Sequence, residues 1–121
     1  LEVADALRSW CNPYPEDVLD AHVDLSTAEQ TLAGYGLIMR GLFSAQECDE
    51  LIVHAKAITL CLAMRYAADS LNESYFLHDQ NRFSRPAEHN WLKTQSMFGL
   101  FRDFSHKGPQ LRCLVDDLLG A

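Results

Sequence analysis

Apolar residues recur at helical spacing along most of this 121-residue chain. The longest such segment runs from Ala45 to about Asn72 and contains neither glycine nor proline. Its helical repeat is carried by Leu51, Ala55, Ile58, Leu62 and Tyr66. The spacing predicts one helix of about 40 Å. Because residues 57–64 are apolar on nearly all sides, we expect the helix to be covered on two faces, one of them by further polypeptide or a partner chain.

Two Ser-x-x-Glu sequences predict the starts of helices. In each, the serine hydroxyl would accept a free backbone N–H of the first turn, and the glutamate would accept the N–H of the serine. Ser44-Ala45-Gln46-Glu47 opens the long helix. Ser26-Thr27-Ala28-Glu29 predicts a shorter helix that begins at about Thr27.

A short apolar run predicts one β-strand after this shorter helix. Gly34 and Gly36 are poor helix residues, so the helix is expected to end near Ala33. Leu37-Ile38-Met39-Arg40 is mostly apolar and is closed by Gly41, which is typical of a strand buried on at least one face. The predicted fold class is therefore mainly α with one short strand at residues 37–40.

Apolar spacing and proline positions predict four further helices. They cover Glu2 to Trp10, Pro15 to about His22, Ala87 to about Ser105, and Pro109 or Gln110 to Leu119. The third of them carries an aromatic set that is expected to dominate the core: Trp91, Phe98, Phe101 and Phe104. We divide the chain into an amino-terminal helical arm, residues 1–25, and a helical buttress, residues 26–121.

The charge balance limits the kinds of partner. The chain has 17 acidic and 10 basic residues and a formal net charge of −7. A nucleic-acid surface needs clustered lysine and arginine, and the same repulsion disfavours an anionic membrane, so neither partner is expected. No apolar run approaches the length needed to span a bilayer. The four cysteines show neither Cys-x-x-Cys nor zinc-finger spacing, which favours free thiols and a reducing, cytoplasmic location.

The order of elements from Ser26 to Leu51 resembles a known family. A capped short helix, Gly-Tyr-Gly, an apolar strand, Arg-Gly-Leu-Phe-Ser and a second capped helix are similar to the amino-terminal part of phytanoyl-CoA dioxygenase-like enzymes. The resemblance returns over Phe104 to Gly120, where HKGPQLRCLVDDLLG looks like the helix that precedes the catalytic barrel in that family. These enzymes are non-haem iron(II)- and 2-oxoglutarate-dependent oxygenases, and their barrel is a double-stranded β-helix of the jelly-roll or cupin-like kind.

The resemblance implies a parent protein that hydroxylates a small organic substrate, with iron(II) and 2-oxoglutarate as its cofactors. In that family the iron and 2-oxoglutarate ligands all follow the Leu-Leu-Gly helix. This chain starts at Leu1 without a methionine and stops at Ala121, so we expect an amino-terminal fragment of a larger catalytic domain. The barrel itself would be absent, and no catalytic or metal-binding residue is expected here. His22-Val23-Asp24 has the iron-binding pattern but precedes the family-like opening, so Asp24 is interpreted as part of a turn.

The irregular segment from Glu73 to Arg85 contains the candidate binding residues. By the resemblance, this segment approaches the mouth of the barrel, where Asn81, Arg82 and Arg85 would bind an anionic substrate. The alternative is a solvated loop closed by an Asp79–Arg82 pair.

Two other functions stay open at this point. The chain could be a self-contained helical protein-interaction module without catalytic activity, whose long helix docks on a partner. It could also be a relative of the oxygenases that has lost its iron site.

Overall fold

A computed structural model describes residues 2–120, and this part of the chain contains five α-helices and no β-strand. The helices are α1 (Glu2–Trp10), α2 (Leu25–Met39), α3 (Ala45–Asn72), α4 (Pro86–His106) and α5 (Gly108–Leu119). The prediction of a mainly α protein is confirmed for these residues.

The long helix predicted from Ala45 to Asn72 is confirmed as α3, and it is the central element. Its capping box forms as expected, because Ser44 Oγ accepts the N–H of Glu47 at 3.0 Å and Glu47 Oε2 accepts the N–H of Ser44 at 2.7 Å. α4 packs along α3, while α1 and α5 pack on other parts of it. α2 lies farther out and packs on α5 and α1.

The core lies where these helices meet, and large apolar side chains fill it. Those that are fully buried include Leu7, Leu32, Met97, Leu100, Phe104, Leu111 and Leu119. Of the aromatic set predicted for the core, Phe104 is fully buried, whereas Trp91 and Phe98 are exposed. Trp91 and Phe98 lie on a face of α4 that is directed toward Leu19 and solvent. The prediction that the aromatic side chains of α4 dominate the core is therefore confirmed only in part.

The strand predicted at residues 37–40 is wrong, because α2 continues through Gly34 and Gly36 to Met39. A lone strand would leave its backbone N–H and C=O groups without partners, whereas a helix satisfies them within itself. The helix ends at Arg40, whose N–H still donates to the Gly36 carbonyl oxygen at 3.2 Å. Gly41 then adopts a positive φ of 77°, which reverses the chain toward α3.

The start of α2 also differs from the prediction. The N-cap is Asp24 rather than Ser26, and Asp24 Oδ2 accepts the N–H of Thr27 at 3.0 Å. Both residues are good N-caps, but the helix begins at Leu25, so the Ser26 hydroxyl lies inside the first turn.

The short helix predicted from Pro15 to His22 is wrong, since this segment is irregular. Its carboxylates bond to distant elements of the structure. Glu16 Oε1 accepts Arg8 Nη1–H at 2.9 Å, and Asp17 Oδ2 accepts Arg82 Nη1–H at 2.9 Å. Tertiary hydrogen bonds therefore outweigh the local helix signal here.

α3 has the length and composition of a helix that could cross a membrane, contrary to the expectation that no segment does. Its 18-residue apolar window has a mean hydropathy of 1.4, and 33% of that window is buried. Core helices of water-soluble proteins pass the same test, and α3 packs against α1, α4 and α5. The absence of a membrane partner stays a prediction.

Two glycines of α2 provide a matched pair of stability tests. A Cβ added at Gly36 would meet the backbone carbonyl of Leu118 on α5, so Gly36→Ala should lower the free energy of unfolding by about 1–3 kcal/mol. A Cβ added at Gly34 has nothing within 4 Å, so Gly34→Ala should raise it by about 0.5–1 kcal/mol. Urea unfolding measures both values, and equal effects would contradict the close approach of α2 to α5.

Candidate functional site

The three predicted binding residues lie in the connection between α3 and α4, and all three are exposed. Arg82 Nη1–H donates to Asp17 Oδ2 at 2.9 Å. Arg85 Nη2–H donates to Glu73 Oε1 at 2.6 Å. Each guanidinium group is thus engaged by a separate carboxylate of the chain. Asn81 contributes its backbone N–H to the same loop.

The loop between α3 and α4 is closed by backbone hydrogen bonds, not by an ion pair between the side chains of Asp79 and Arg82. The carbonyl oxygen of Asp79 accepts the backbone N–H groups of Arg82 and Phe83 at 3.2 and 2.9 Å. Asp79 Oδ1 accepts the N–H of Asn81 at 2.9 Å. The Asp79–Arg82 contact therefore runs through the backbone, and the Arg82 side chain is free to reach Asp17.

A buried carboxylate near the end of α3 fixes the start of this loop. Asp69 is 4% exposed and accepts the backbone N–H groups of Ser74, Tyr75 and Phe76 at 2.9, 2.9 and 2.8 Å. Asn90 Nδ2–H of α4 donates to it as well, at 3.0 Å. The bond from Phe76, helped by the others, outweighs burial and holds the pKa of Asp69 below its ordinary value. One ionised group therefore orders the first turn of the loop.

A buried histidine of α4 holds the other half of the loop. His89 Nε2 lies 2.7 Å from Asp17 Oδ2, and His89 Nδ1 lies 3.0 Å from the backbone nitrogen of Asp79. Because the Asp79 N–H can only donate, Nδ1 must accept, and Nε2 carries the proton that goes to Asp17. The ring of Phe83 stacks on the imidazole with centroids 4.4 Å apart. Both ring nitrogens are occupied, so the histidine is engaged in structure rather than free to transfer a proton.

The carboxylate of Asp17 joins this histidine to the predicted arginine. Burial alone would raise the pKa of Asp17, but the hydrogen bonds from His89 and Arg82 outweigh burial and lower it. Asp17 thus stays ionised at neutral pH. It ties the irregular segment before α2 to the loop before α4.

The described residues do not fit an iron site. Among residues 2–120, no group of three or more histidine, cysteine or acidic side chains is arranged to hold a metal ion. The early His-x-Asp pair is not a chelate, because Asp24 caps α2 and His22 Nδ1 lies 2.9 Å from the carbonyl oxygen of Asp20. Asp24 is thus the N-cap of α2 rather than part of a turn, the role that the sequence had suggested.

An open apolar groove lies along the last two turns of α2. It has a volume of about 380 Å³ and is lined by Trp10, Thr31, Gly34, Tyr35, Ile38 and Met39. Trp10 of α1 stacks on Tyr35 of α2 with centroids 6.4 Å apart. We call this set of residues the α2 groove.

The apolar surface beside the α2 groove is unusually exposed. Ile38 is 84% exposed, and Leu37 and Leu42, its neighbours in the chain, are 88% and 73% exposed. The α2 groove does not follow from the sequence prediction, because a strand at residues 37–40 would remove its last turn of helix. The signal was present in the spacing of Thr31, Tyr35 and Ile38, which falls on one face if the helix continues.

No protein-family model and no curated protein matches this chain at a significant level. Residues 2–120 form a five-helix α domain. Carboxylates hold the loop between α3 and α4, and an open apolar groove lies along the end of α2.

The loop anchored by Asp69 should be released by acid. A carboxylate with a lowered folded-state pKa contributes stability above its unfolded pKa, near 3.8, and loses it as pH falls through the folded value. Relative to the intrinsic exchange rate at the same pH, the backbone N–H groups of Ser74, Tyr75 and Phe76 should therefore be protected from exchange at pH 7 and lose that protection well below pH 3.8. Asp69→Asn should make them exchange rapidly already at pH 7, as amide-resolved NMR hydrogen exchange will show.

The matched control for this test is Asp117→Asn, since Asp117 is an exposed carboxylate on α5. It should leave exchange at the loop unchanged. Slow exchange of the same three amides in Asp69→Asn would mean that the loop is held by its other contacts.

Proposed function

We propose that this chain is a non-catalytic helical docking module, and that the α2 groove is the surface that binds another folded polypeptide. The observation that carries the proposal is the exposure of Ile38, at 84%, beside the stacked rings of Trp10 and Tyr35. Contiguous exposed apolar surface is uncommon on proteins that have no binding partner. Tryptophan and tyrosine are also the side chains that most often dominate binding energy at interfaces.

The resemblance to phytanoyl-CoA dioxygenase-like enzymes suggests what that polypeptide is. The two stretches that carry the resemblance, residues 26–51 and 104–120, lie against each other, since α2 packs on α5. The Gly41 N–H donates to the carbonyl oxygen of Leu119 at 3.0 Å, which links the end of one stretch to the end of the other. The exposed segment 37–42 belongs to the first stretch. These contacts support a single buttress whose apolar edge packs against a catalytic barrel.

On this proposal the chain is the amino-terminal portion of a non-haem iron(II)/2-oxoglutarate-dependent dioxygenase that hydroxylates a small organic substrate. On the same proposal, the metal and 2-oxoglutarate would be held elsewhere in the protein. The second candidate is a self-contained interaction module, which the α2 groove favours equally. The two differ in whether the occupant is the same polypeptide or another one.

Site-specific photo-crosslinking identifies the occupant. A benzophenone side chain at position 38 should give one dominant adduct in cells that express the intact protein, whereas the same group at Glu29, exposed on an earlier turn of α2, should not. An adduct within the same polypeptide, near a His-x-Asp/Glu sequence, supports the oxygenase. An adduct with an unrelated protein supports the module. No adduct above the Glu29 control contradicts a docking role for the α2 groove.

Ile38→Glu should weaken docking without unfolding the domain. Because the side chain is exposed, the free energy of unfolding should change by less than about 0.5 kcal/mol. Burying a carboxylate in an apolar contact is costly, so affinity for the crosslinked occupant should fall at least about tenfold, which corresponds to about 1.4 kcal/mol. Calorimetric titration and thermal melting measure the two effects. Gln30→Glu adds the same charge at an exposed position of α2 outside the groove and serves as the control.

We also propose that the intact enzyme contacts its substrate through the loop residues Asn81, Arg82 and Arg85. Arg82 and Arg85 are exposed ion-pair members, so replacing either with alanine should cost less than about 1 kcal/mol of stability. If they bind an anionic substrate, the same replacements should raise its KM in the intact enzyme. A fall in melting temperature with unchanged kinetics would make them braces only.

A further inference from the structure

α3 carries a second apolar surface, on the side that faces solvent. Its members follow one another at intervals of four, three, four, three and four residues: Val53, Ala57, Leu60, Met64, Ala67 and Leu71. At 3.6 residues per turn, these positions fall within about 80° of arc. Alternation of four and three is the spacing by which one helix packs lengthwise on another. We call this set of residues the α3 seam.

The α3 seam is left open by the rest of the described chain. Val53 and Met64 are each 60% exposed, and Leu71 is 86% exposed. The buried face of α3 lies on the opposite side and includes Cys48, Ala55, Thr59 and Tyr66. The helices that pack on α3 use that buried face. Ala57 is exposed as well, and Leu60 and Ala67 are half-buried, so residues 2–120 leave most of this apolar stripe uncovered.

We propose that the α3 seam is the interface of an antiparallel dimer of two copies of this chain. The order of side-chain sizes along the seam is close to symmetric about its middle. When two seams run antiparallel, Val53 faces Leu71, Ala57 faces Ala67, and Leu60 faces Met64 of the second copy. A two-fold axis requires this kind of order, because every contact must occur twice with its roles exchanged. One register pairs all six positions, large with large and small with small.

The charges beside the α3 seam favour the antiparallel over the parallel arrangement. Asp49, which is paired with Arg112, and Glu50 lie just before the seam, in the first turns of α3. In a parallel pair these carboxylates would meet their own copies, and like charges at that range repel. In the antiparallel pair they lie beyond the carboxyl end of the second copy's α3, which ends at Asn72. The acidic residue nearby, Glu73, is already paired with Arg85.

The geometry predicts a reversible dimer. The seam is about 27 Å long at 1.5 Å per residue, and one helix face of that length gives an interface at the small end of the usual range. Two copies should therefore associate as protein concentration rises and separate on dilution. The α3 seam shares no residue with the α2 groove, so this inference does not depend on the proposed function.

The exposed cysteine Cys61 can be used to test the antiparallel register of the proposed dimer. Cys61 lies at the edge of the seam near its middle, so the antiparallel pairing brings Cys61 close to its copy across the two-fold axis. Cys113 is the other exposed cysteine and lies on α5, away from the seam, whereas Cys11 and Cys48 are buried. A short bismaleimide should therefore give a covalent dimer that Cys61→Ser abolishes and Cys113→Ser leaves intact.

Sedimentation velocity tests the association itself. The wild-type protein and Ile38→Glu should both shift from monomer to dimer with increasing concentration. Met64→Glu places a carboxylate in the seam and should raise the concentration needed for dimerisation at least about tenfold, or about 1.4 kcal/mol. Met64 is mostly exposed, so circular dichroism should show an unchanged fold, and Met64→Leu should still dimerise.

Three results would overturn the proposal. The first is a wild-type protein that stays monomeric at every concentration, whether or not lipid vesicles are present to bind the apolar helix. The second is a dimer that Ile38→Glu dissociates and Met64→Glu does not. The third is a covalent dimer that forms through Cys113 alone.

Discussion

Burial of one face of α3 is the constraint on which the rest of the structure depends. The buried face extends from Cys48 to Asp69, over most of the helix, and α1, α4 and α5 all pack onto this helix. Its middle is built from small side chains, Ala55, Thr59 and Ala63, whereas α4 contributes large ones to the core. Small residues on one helix let the neighbouring backbone approach closely, and large ones fill the space between. The positions of the other helices follow from this long contact.

Ionised side chains, rather than apolar burial, fix the two irregular segments. Before α2, Glu16 accepts Arg8 Nη1–H at 2.9 Å and the Tyr66 hydroxyl at 2.5 Å, so it ties the segment to α1 and α3. Burial, and then the bond to Glu16, raises the pKa of Tyr66, which keeps its hydroxyl protonated as the donor. Asp17 and Asp69 hold the loop before α4 in the same manner. Such bonds add little net energy each but are costly to break when buried, so they select one loop conformation.

Short-range sequence patterns predicted the parts of the fold that depend on interactions within one helical turn. The capping box of Ser44 and Glu47 and the first-turn proline of α4 involve residues within one turn, and both were placed correctly. The shift of the α2 N-cap from Ser26 to Asp24 is a local error, but the larger errors concern contacts that are distant in the chain. Gly36 suits α2 because α5 approaches it, and Arg82 reaches Asp17, which is 65 residues away. Periodicity alone carries no information about such partners, and this is also why the α2 groove was not foreseen.

The free energy available from burying the apolar side chains at the end of α2 bears on what this surface binds. Burying a leucine or isoleucine side chain contributes about 1.5–3 kcal/mol, so Leu37, Ile38 and Leu42 together could contribute about 5–9 kcal/mol. Association of two separate molecules costs about 4–15 kcal/mol in lost freedom of motion, which is comparable to that gain or larger. A tethered occupant avoids most of this cost, because a short linker gives an effective concentration of the order of millimolar. These three side chains would therefore suffice for a tethered occupant, whereas a separate protein would also have to cover Trp10 and Tyr35.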